Sequence, residues 1–360
     1  MTRYRVAVVG LNHYHVTGWI GSLESLGDRV EVVARYDGDP ARADGRAPDH
    51  IDPSLARRFP DWFTELPFEF ELGTLIEKHR PDIALVTLPN DEAPGAIETL
   101  ADAGIHLLLD KPTARTAQEA ERAFAAVDRA GVRAAVALTR RYGYGWQEAA
   151  DLIASGRLGT LLTTEAVFIT SSVAVRDPAN LIFDRERMGG GVLHWLGIHD
   201  LDALQWLTGE PIVAAQAMIA SPGDTGVEVE EVVSASVRYA SGAIGTVHYA
   251  YALPRPGGEG YVAIRGTKGS VKILPDGSWT LTVDGSVDAP LLSRTVSYET
   301  GPSTGYGAIG AVILADLLGA IEEGRQPLAT GRDVASALRV IDAMYASARD
   351  GGLVEVRGGD

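Results

Sequence analysis

Residues 1–139 alternate short apolar runs, rich in β-branched residues, with stretches of helical periodicity. Strands and helices that alternate in this way are typical of βαβ units, whose strands form a parallel sheet. The strand candidates are Tyr4–Val9, Val30–Tyr36, Ile83–Leu88, Ile105–Leu109 and Ala134–Leu138, and the clearest helices are Ala93–Ala103 and Thr116–Ala130. Since βαβ crossovers are right-handed, the pattern predicts an α/β, Rossmann-like doubly wound parallel sheet.

The pattern changes after Arg140, where longer strand candidates are separated by turn signals such as Pro275-Asp276-Gly277. Short turns of this kind join antiparallel strands. A chain of 360 residues also exceeds the roughly 250–300 residues at which a single core stops growing. We therefore predict a nucleotide-binding domain at residues 1–139, followed at residues 140–360 by an α+β domain with a large, mainly antiparallel open sheet.

Charge and composition exclude several classes of protein. The formal net charge is −16, which argues against a nucleic-acid partner because phosphate binding needs a basic footprint. The chain has no cysteine, so disulfides, thiolate nucleophiles and metal–thiolate centres are excluded. No apolar run reaches the roughly 18 residues of a membrane span, and the first strand begins without a signal-peptide pattern. We expect a cytoplasmic protein that binds neither nucleic acid nor membrane.

Ligands of a doubly wound sheet bind beyond the carboxyl ends of its strands. In this chain, the segments at those ends are Gly10–His15, Tyr36–Asp39, Leu88-Pro89-Asn90 and Asp110-Lys111-Pro112. We expect these four segments to converge on one edge of the sheet.

The first of these segments stands where a GxGxxG dinucleotide fingerprint belongs, but only Gly10 of the three glycines is present. Asn12 replaces the glycine that lets a pyrophosphate approach the backbone, and Asn tolerates unusual backbone angles. His15 replaces the glycine that allows close helix packing. As a fingerprint, this match is weak.

Asp37 ends the second strand, where a carboxylate can accept hydrogen bonds from the ribose hydroxyls of a dinucleotide. The alternative is that Asp37 only begins a turn before the next helix. An acidic residue at this position favours NAD, while Arg42 leaves NADP as the other choice of cofactor.

Lys111 follows an apolar strand and precedes Pro112, which biases Lys111 away from helical backbone. A cation at this strand end can bind a substrate hydroxyl and stabilise developing negative charge on its oxygen. The alternative is a solvated loop lysine. The scarcity of lysine in this arginine-rich chain favours the functional interpretation.

A second group of residues follows the glycine run 189–191, which opens a helix ending near Gly209. Helical spacing predicts that Trp195, His199 and Asp202 share one face. A histidine beside a carboxylate is a common general base. The alternative is that His199 is a satisfied core histidine.

The spacing of His13 and His15 also suits a metal ion. The sequence shows no carboxylate or third ligand near them, so we expect no metal site. We predict instead that these side chains stack on, or hydrogen-bond beside, the cofactor phosphates.

These features, in this order and spacing, resemble the Gfo/Idh/MocA family, the relatives of glucose-fructose oxidoreductase and inositol dehydrogenase. The resemblance runs the full length of the chain and includes Asp110-Lys111-Pro112 in place of Glu-Lys-Pro, Arg141-Tyr142, the 189–199 segment and Arg265–Ser270. It implies an NAD(P)-dependent enzyme that transfers a hydride between nicotinamide and a sugar, polyol or related alcohol or carbonyl. It also implies a homodimer or homotetramer formed through the C-terminal sheet.

The resemblance assigns catalytic roles to Lys111, which contacts cofactor and substrate, and to His199, which exchanges the hydroxyl proton. Trp195 stands where the family usually has an aspartate, and we expect its ring to stack on a sugar face. The expected cofactor contacts are Gly10, Asn12, His13, His15, Asp37, Pro89, Asn90, Asp110 and Lys111. The expected substrate contacts are Lys111, Arg141, Trp195 and His199.

Two other functions fit the same residues. One is an NAD-dependent glycosidase of the same fold, which oxidises the sugar transiently and eliminates the leaving group. The other is a non-catalytic nucleotide- or sugar-binding paralogue, suggested by Asn12, His15 and Trp195. Tightly retained cofactor without net NADH formation would favour the glycosidase, and failure to bind nucleotide would favour the paralogue.

Overall fold

The structure, a computed structural model, describes residues 2–13, 15–39, 60–223, 225–253, 258–283, 292–294 and 307–358. The chain divides into two compact units. Unit 1 comprises Met1–Ala137, Ala179–Gly189 and Thr300–Ala335, and unit 2 comprises Leu138–Pro178, Gly190–Glu299 and Ser336–Asp360. No helix among the described residues is long and apolar enough to cross a membrane.

Unit 1 is built on a six-stranded parallel sheet with the strand order β3-β2-β1-β4-β5-β6. Its strands are β1 (Tyr4–Val9), β2 (Val30–Tyr36), β3 (Phe68–Glu69), β4 (Ile83–Val86), β5 (His106–Leu109) and β6 (Ala134–Val136). Its helices are α1 (His15–Ser25), α2 (Asp61–Thr64), α3 (Leu72–His79), α4 (Ala93–Asp102), α5 (Ala117–Ala130), α7 (Arg185–Met188) and α9 (Gly307–Glu323). This order is that of a doubly wound sheet, so the predicted fold is confirmed.

Local chemistry explains why the sequence defines these elements well. All four residues of β4 are buried, as expected for a strand covered by helices on both faces. Helix α5 begins after Thr116, whose side chain accepts a hydrogen bond from the Glu119 amide, and it ends at Gly131 in the left-handed conformation. These two caps satisfy backbone groups that a helix end leaves unpaired.

Two later segments of the chain belong to unit 1, although the sequence boundary placed everything after residue 139 in the second domain. The edge strand β6 is completed by the amide of Val136, which donates to the carbonyl of Ala329 at 3.1 Å. The side chain of Asn90 donates to the carbonyl of Met188 at 2.8 Å. These long-range backbone partners cannot be read from local periodicity.

Unit 2 is built on a nine-stranded sheet in the order β14-β13-β12-β11-β7-β10-β9-β8-β15, in which only β7 and β10 pair in parallel among the described strands. The strands are β7 (Leu161–Thr170), β8 (Ile212–Ala220), β9 (Val232–Tyr239), β10 (Ile244–Ala250), β11 (Gly258–Gly266), β12 (Gly269–Ile273), β13 (Trp279–Val283), β14 (Leu292–Arg294) and β15 (Val354–Glu355). Helices α6 (Tyr144–Ala154) and α8 (Ile198–Thr208) belong to unit 2, and α10 (Gly331–Asp350) begins in unit 1 and continues into unit 2. The predicted mainly antiparallel sheet is confirmed.

Replacement of Gly10 by alanine should destabilise the protein. An added Cβ would lie 2.7 Å from the backbone nitrogen of Leu88, and Gly10 has a φ of +95°, which L side chains rarely adopt. We expect Gly10→Ala to lower the free energy of unfolding by about 1–3 kcal/mol, measured by urea denaturation. Gly21→Ala is the control, because α1 offers nothing within 4 Å of its added Cβ. Equal stability of the two variants would contradict the close approach of Gly10 to the backbone of Thr87 and Leu88.

Candidate functional site

The loop after β1 is held by backbone and side chains from the neighbouring strands. The amide of Gly10 donates to the Tyr36 carbonyl at 2.9 Å. The Gly10 carbonyl accepts a hydrogen bond from Thr87 Oγ1 at 2.5 Å. The loop therefore bridges the carboxyl ends of β2 and β4, which is the convergence of strand ends that the topology predicts.

Asp37 contributes to the same loop through its side chain. It is buried, and its Oδ2 accepts the Leu11 amide at 2.8 Å while its Oδ1 accepts the Asp39 amide at 2.9 Å. An ionised carboxylate has about four acceptor positions, so Asp37 retains acceptor capacity for hydroxyl groups. Arg42, which left NADP as a choice of cofactor, lies outside the described residues.

The residues of this edge fit a dinucleotide. Asn12 Oδ1 is buried and has no hydrogen-bond partner among the described residues, so a ligand donor can satisfy it. Helix α1 begins at His15, and a helix N-terminus attracts phosphate. Gly10 packs its backbone directly against the backbone that follows β4, where a Cβ would lie 2.7 Å from the Leu88 nitrogen.

Beside this loop, the buried carboxylate of Asp110 contacts two histidines. His15 Nδ1 lies 3.0 Å from Asp110 Oδ2, and His13 Nδ1 lies 3.7 Å from the same oxygen. The indole Nε1 of Trp19 donates to Asp110 Oδ2 at 3.4 Å, and the Lys111 amide donates to Asp110 Oδ1 at 2.7 Å. The statement that no carboxylate lies near the histidines was wrong, because residues 95 positions apart meet only through the strand order.

Electrostatics favour the ionised form of this carboxylate. Burial alone would raise the pKa of Asp110, but the charge and hydrogen bond of His15, together with His13 and Lys111, hold that pKa well below its ordinary value. The Asp110 carboxylate is therefore negatively charged, and its polar and charged neighbours compensate its loss of water.

Lys111 and the end of β4 lie in the buried part of the same edge. Lys111 is only 5% exposed, and the peptide bond that joins it to Pro112 is cis. The carbonyl of Pro89 accepts the amides of Glu92 and Ala93 and so begins α4. The buried side chain of Asn90 holds the Met188 carbonyl. Pro89 and Asn90 thus have structural partners, and their cofactor contacts stay predictions.

In unit 2, the glycine run leads into a single π-helical turn at Leu193–Gly197, directly before α8. The buried carboxylate of Glu230 accepts the amides of Gly191 at 2.8 Å and Leu193 at 3.2 Å. Tyr345 donates its hydroxyl to Glu230 Oε1 at 2.6 Å. A Cβ at position 190 would lie 2.0 Å from the Tyr345 hydroxyl, so glycine is required for this close packing.

Trp195 lies in the π-helical turn, and His199 lies in the first turn of α8. The predicted common face assumed α-helical spacing throughout, and the wider π turn departs from that spacing. Trp195 is buried, and the guanidinium of Arg176 lies 5.6 Å from the centre of a Trp195 ring. His199 is partly buried, and its Nδ1 is fully buried.

Arg141 forms a buried ion pair with Asp202, with nitrogen–oxygen distances of 2.7–3.2 Å. Its guanidinium also lies 5.7 Å from the centre of a Trp206 ring. Asp200 pairs with Arg140 at 3.2 Å; burial raises the pKa of Asp200, and Arg140 opposes that increase. Asp202, the carboxylate predicted on the same face as His199, is therefore engaged with an arginine, and so is Asp200.

Four residues of these sites were missed in the sequence. Trp19 could have been found from helical spacing, because it lies four residues after His15 on α1. Thr87 directly follows β4 and could have been found as part of a strand end. Glu230 and Tyr345 carry no local signal, because their contacts join segments 115 residues apart.

Comparisons with known families and relatives match about three quarters of the chain. Residues 4–138 match the family described as "Oxidoreductase family, NAD-binding Rossmann fold", and residues 146–272 match the GFO/IDH/MocA C-terminal domain. D-xylose 1-dehydrogenase (NADP(+)) 2 of Haloferax volcanii is 27% identical over 76% of this chain and 80% of its own length. 1,5-Anhydro-D-fructose reductase of Ensifer adhaerens is 29% identical over 78% and 81%.

Two solved structures superpose on this chain over nearly its full length. Aldose-aldose oxidoreductase from Caulobacter crescentus, complexed with glycerol, superposes with a TM-score of 0.78 at 26% identity, covering 98% of this chain and 99% of that one. Levoglucosan dehydrogenase in complex with NADH and L-sorbose gives a TM-score of 0.82 at 21% identity, with all of both chains covered. At that identity, the second comparison supports the fold alone.

Loss of the Arg141–Asp202 pair should destabilise the protein strongly. Asp202→Asn leaves a buried guanidinium without its countercharge, and we expect the free energy of unfolding to fall by about 3–5 kcal/mol, measured by urea denaturation. The control is Glu165→Gln, which removes a half-exposed pair with Arg265 and should cost far less. Normal stability of Asp202→Asn, with a raised KM once a substrate is known, would return Arg141 to a direct role in substrate binding.

Proposed function

Because this chain belongs to the Gfo/Idh/MocA family of NAD-binding oxidoreductases, we propose that its substrate is a sugar, a polyol or a related alcohol or carbonyl. The observation that carries this proposal is the family match across residues 4–138 and 146–272. Relatives that act on D-xylose and on 1,5-anhydro-D-fructose support it. The residues Gly10, Asn12 and Asp37 at the carboxyl ends of β1 and β2, which suit a dinucleotide, also support the proposal.

NAD is the preferred cofactor in this proposal, and nicotinamide accepts or supplies the hydride when it is bound. The carboxylate of Asp37 would accept hydrogen bonds from ribose hydroxyls and repel the extra phosphate of NADP. Asn12 offers its buried Oδ1 as an acceptor for a donor group of the cofactor. The hydrogen bond from the Leu11 amide to Asp37 holds the β1–α1 loop in place.

We assign the reacting centre to Lys111 and His199. Lys111 Nζ holds the substrate oxygen and stabilises the negative charge that develops there during oxidation. His199 accepts the hydroxyl proton, at Nε2, because its Nδ1 is buried. The aromatic ring of Trp195 packs on an apolar sugar face, with Arg176 over that ring. Arg141 supports α8 through Asp202, and its contact with the substrate stays a prediction.

The remaining parts of the proposal concern assembly and location. The C-terminal sheet carries exposed apolar side chains, such as Met218 at 80% and Ile244 at 61% exposure. A homodimer or homotetramer formed through this sheet would bury them. We also place the enzyme in the cytoplasm, in line with the absence of cysteine.

The choice of cofactor can be tested by calorimetric titration with NAD⁺ and NADP⁺. We expect NAD⁺ to bind more tightly, and Asp37→Ala to weaken NAD⁺ binding more than NADP⁺ binding, because only NAD⁺ benefits from the carboxylate. Asp39→Ala is the control, since Asp39 is exposed. Tighter NADP⁺ binding by the native protein, or an unchanged preference in Asp37→Ala, would contradict this role of Asp37.

The reacting centre can be tested by steady-state kinetics on a panel of aldoses, polyols and anhydrosugars. We expect Lys111→Met to lower kcat about 10²–10³-fold and His199→Ala about 10²–10⁴-fold. Because both groups serve one step, the double variant should lose less than the product of the single losses. Lys78→Met, at a lysine that is 62% exposed, is the control.

Native turnover in His199→Ala would refute the assignment of the proton acceptor. Consumption of a glycoside with no net NADH formation would identify the glycosidase reaction instead. Failure to bind any nicotinamide dinucleotide would identify a non-catalytic paralogue.

A further inference from the structure

We propose that His13, His15 and Asp110 form a binding site for one divalent transition-metal ion, with zinc or cobalt as suitable ions. None of these three side chains carries the proton or the substrate oxygen in the proposed reaction. These three side chains are the group of potential ligands found in the described part of the chain, and all three are buried. Two imidazoles and one carboxylate are typical ligands of such ions.

The distances within the cluster suit a metal ion at its centre. With bonds of roughly 2.0–2.1 Å, ligand atoms around a tetrahedral ion are about 3.3 Å apart. His15 Nδ1 and His13 Nδ1 lie 3.0 Å and 3.7 Å from Asp110 Oδ2, and one ligand atom from each of the three residues lies within 4.8 Å of the others. The two distances to Asp110 Oδ2 therefore differ from the tetrahedral value by a few tenths of an ångström.

The hydrogen bond to His13 shows which form of that imidazole is present. The His15 backbone amide donates to His13 Nδ1 at 3.2 Å, so Nδ1 carries a lone pair and the ring is not protonated there. The Nδ1 atom itself lies 3.7 Å from Asp110 Oδ2. A metal ion bound at His13 Nδ1 would take the place of the His15 amide as the partner of that lone pair.

Neighbouring groups orient the carboxylate, as they do in established metal sites. Trp19 Nε1 donates to Asp110 Oδ2, and the Lys111 amide donates to Asp110 Oδ1. His15 is the first residue of α1 and His13 precedes that helix, whereas Asp110 directly follows β5. A bound ion would therefore join the β1–α1 loop to the neighbouring strand end, at the place where the usual fingerprint has glycines.

The test uses the full chain, purified without a metal-affinity tag, stripped with EDTA and kept free of nucleotide. Titration with Co²⁺ should produce visible absorption bands that saturate at one ion per chain, and Zn²⁺ should abolish them by competition. Zn²⁺ should also raise the melting temperature. His13→Gln, His15→Gln and Asp110→Asn should each weaken Co²⁺ binding at least ~10-fold.

His106→Gln is the matched control, because it removes an imidazole of the same unit that lies outside the cluster. Circular dichroism of each variant shows whether it has folded. The native protein decides the matter even if every variant unfolds. If it is folded but gives no Co²⁺ bands and no Zn²⁺-dependent rise in melting temperature, the site does not exist. Native-like affinity in the three folded variants would place the ion elsewhere and overturn the proposal. Both results are independent of turnover, which tests the oxidoreductase function.

Discussion

An ionised carboxylate that is almost completely removed from water needs compensating charges and donors, and Asp110 imposes this requirement on the nucleotide edge of unit 1. Burial disfavours its charged form, yet the surrounding imidazoles and the lysine keep it ionised. The partners come from three directions: the β1–α1 loop, the indole of α1 and the backbone that leads into Lys111. Holding one carboxylate therefore fixes the loop, the first helix and the proposed catalytic lysine together.

The same constraint accounts for the weak glycine fingerprint. A typical dinucleotide loop uses glycines so that helix, strand and phosphate can approach closely. This chain keeps that solution at Gly10, where backbone meets backbone. At position 15 it places a buried imidazole against Asp110 instead. In the usual motif, close packing of glycines fixes this part of the loop. In this chain, polar contacts between side chains fix it instead.

The fold was largely predictable from the sequence because its signals are local. β1 and β2 have the predicted limits, and α5 follows from Thr116 and Gly131, whose capping roles act within one turn. The candidate site was only partly predictable. The strand ends follow from topology, but the contact between His15 and Asp110 depends on three-dimensional packing across 95 residues. The π turn was not predicted, because a helical pattern in the sequence does not reveal one widened turn. The role of Glu230 was not predicted either, because this residue is distant in sequence from the amides that it accepts.

The return of residues 179–189 and 300–335 to unit 1 limits how this protein can be divided or recombined. A fragment ending at residue 137 would lack the Met188 carbonyl that Asn90 holds and the Ala329 carbonyl that completes β6. Exchange of the nucleotide-binding half between relatives must therefore transfer three separate stretches of chain. A single crossover at the apparent domain boundary would therefore pair strands and loops from different parents within one core.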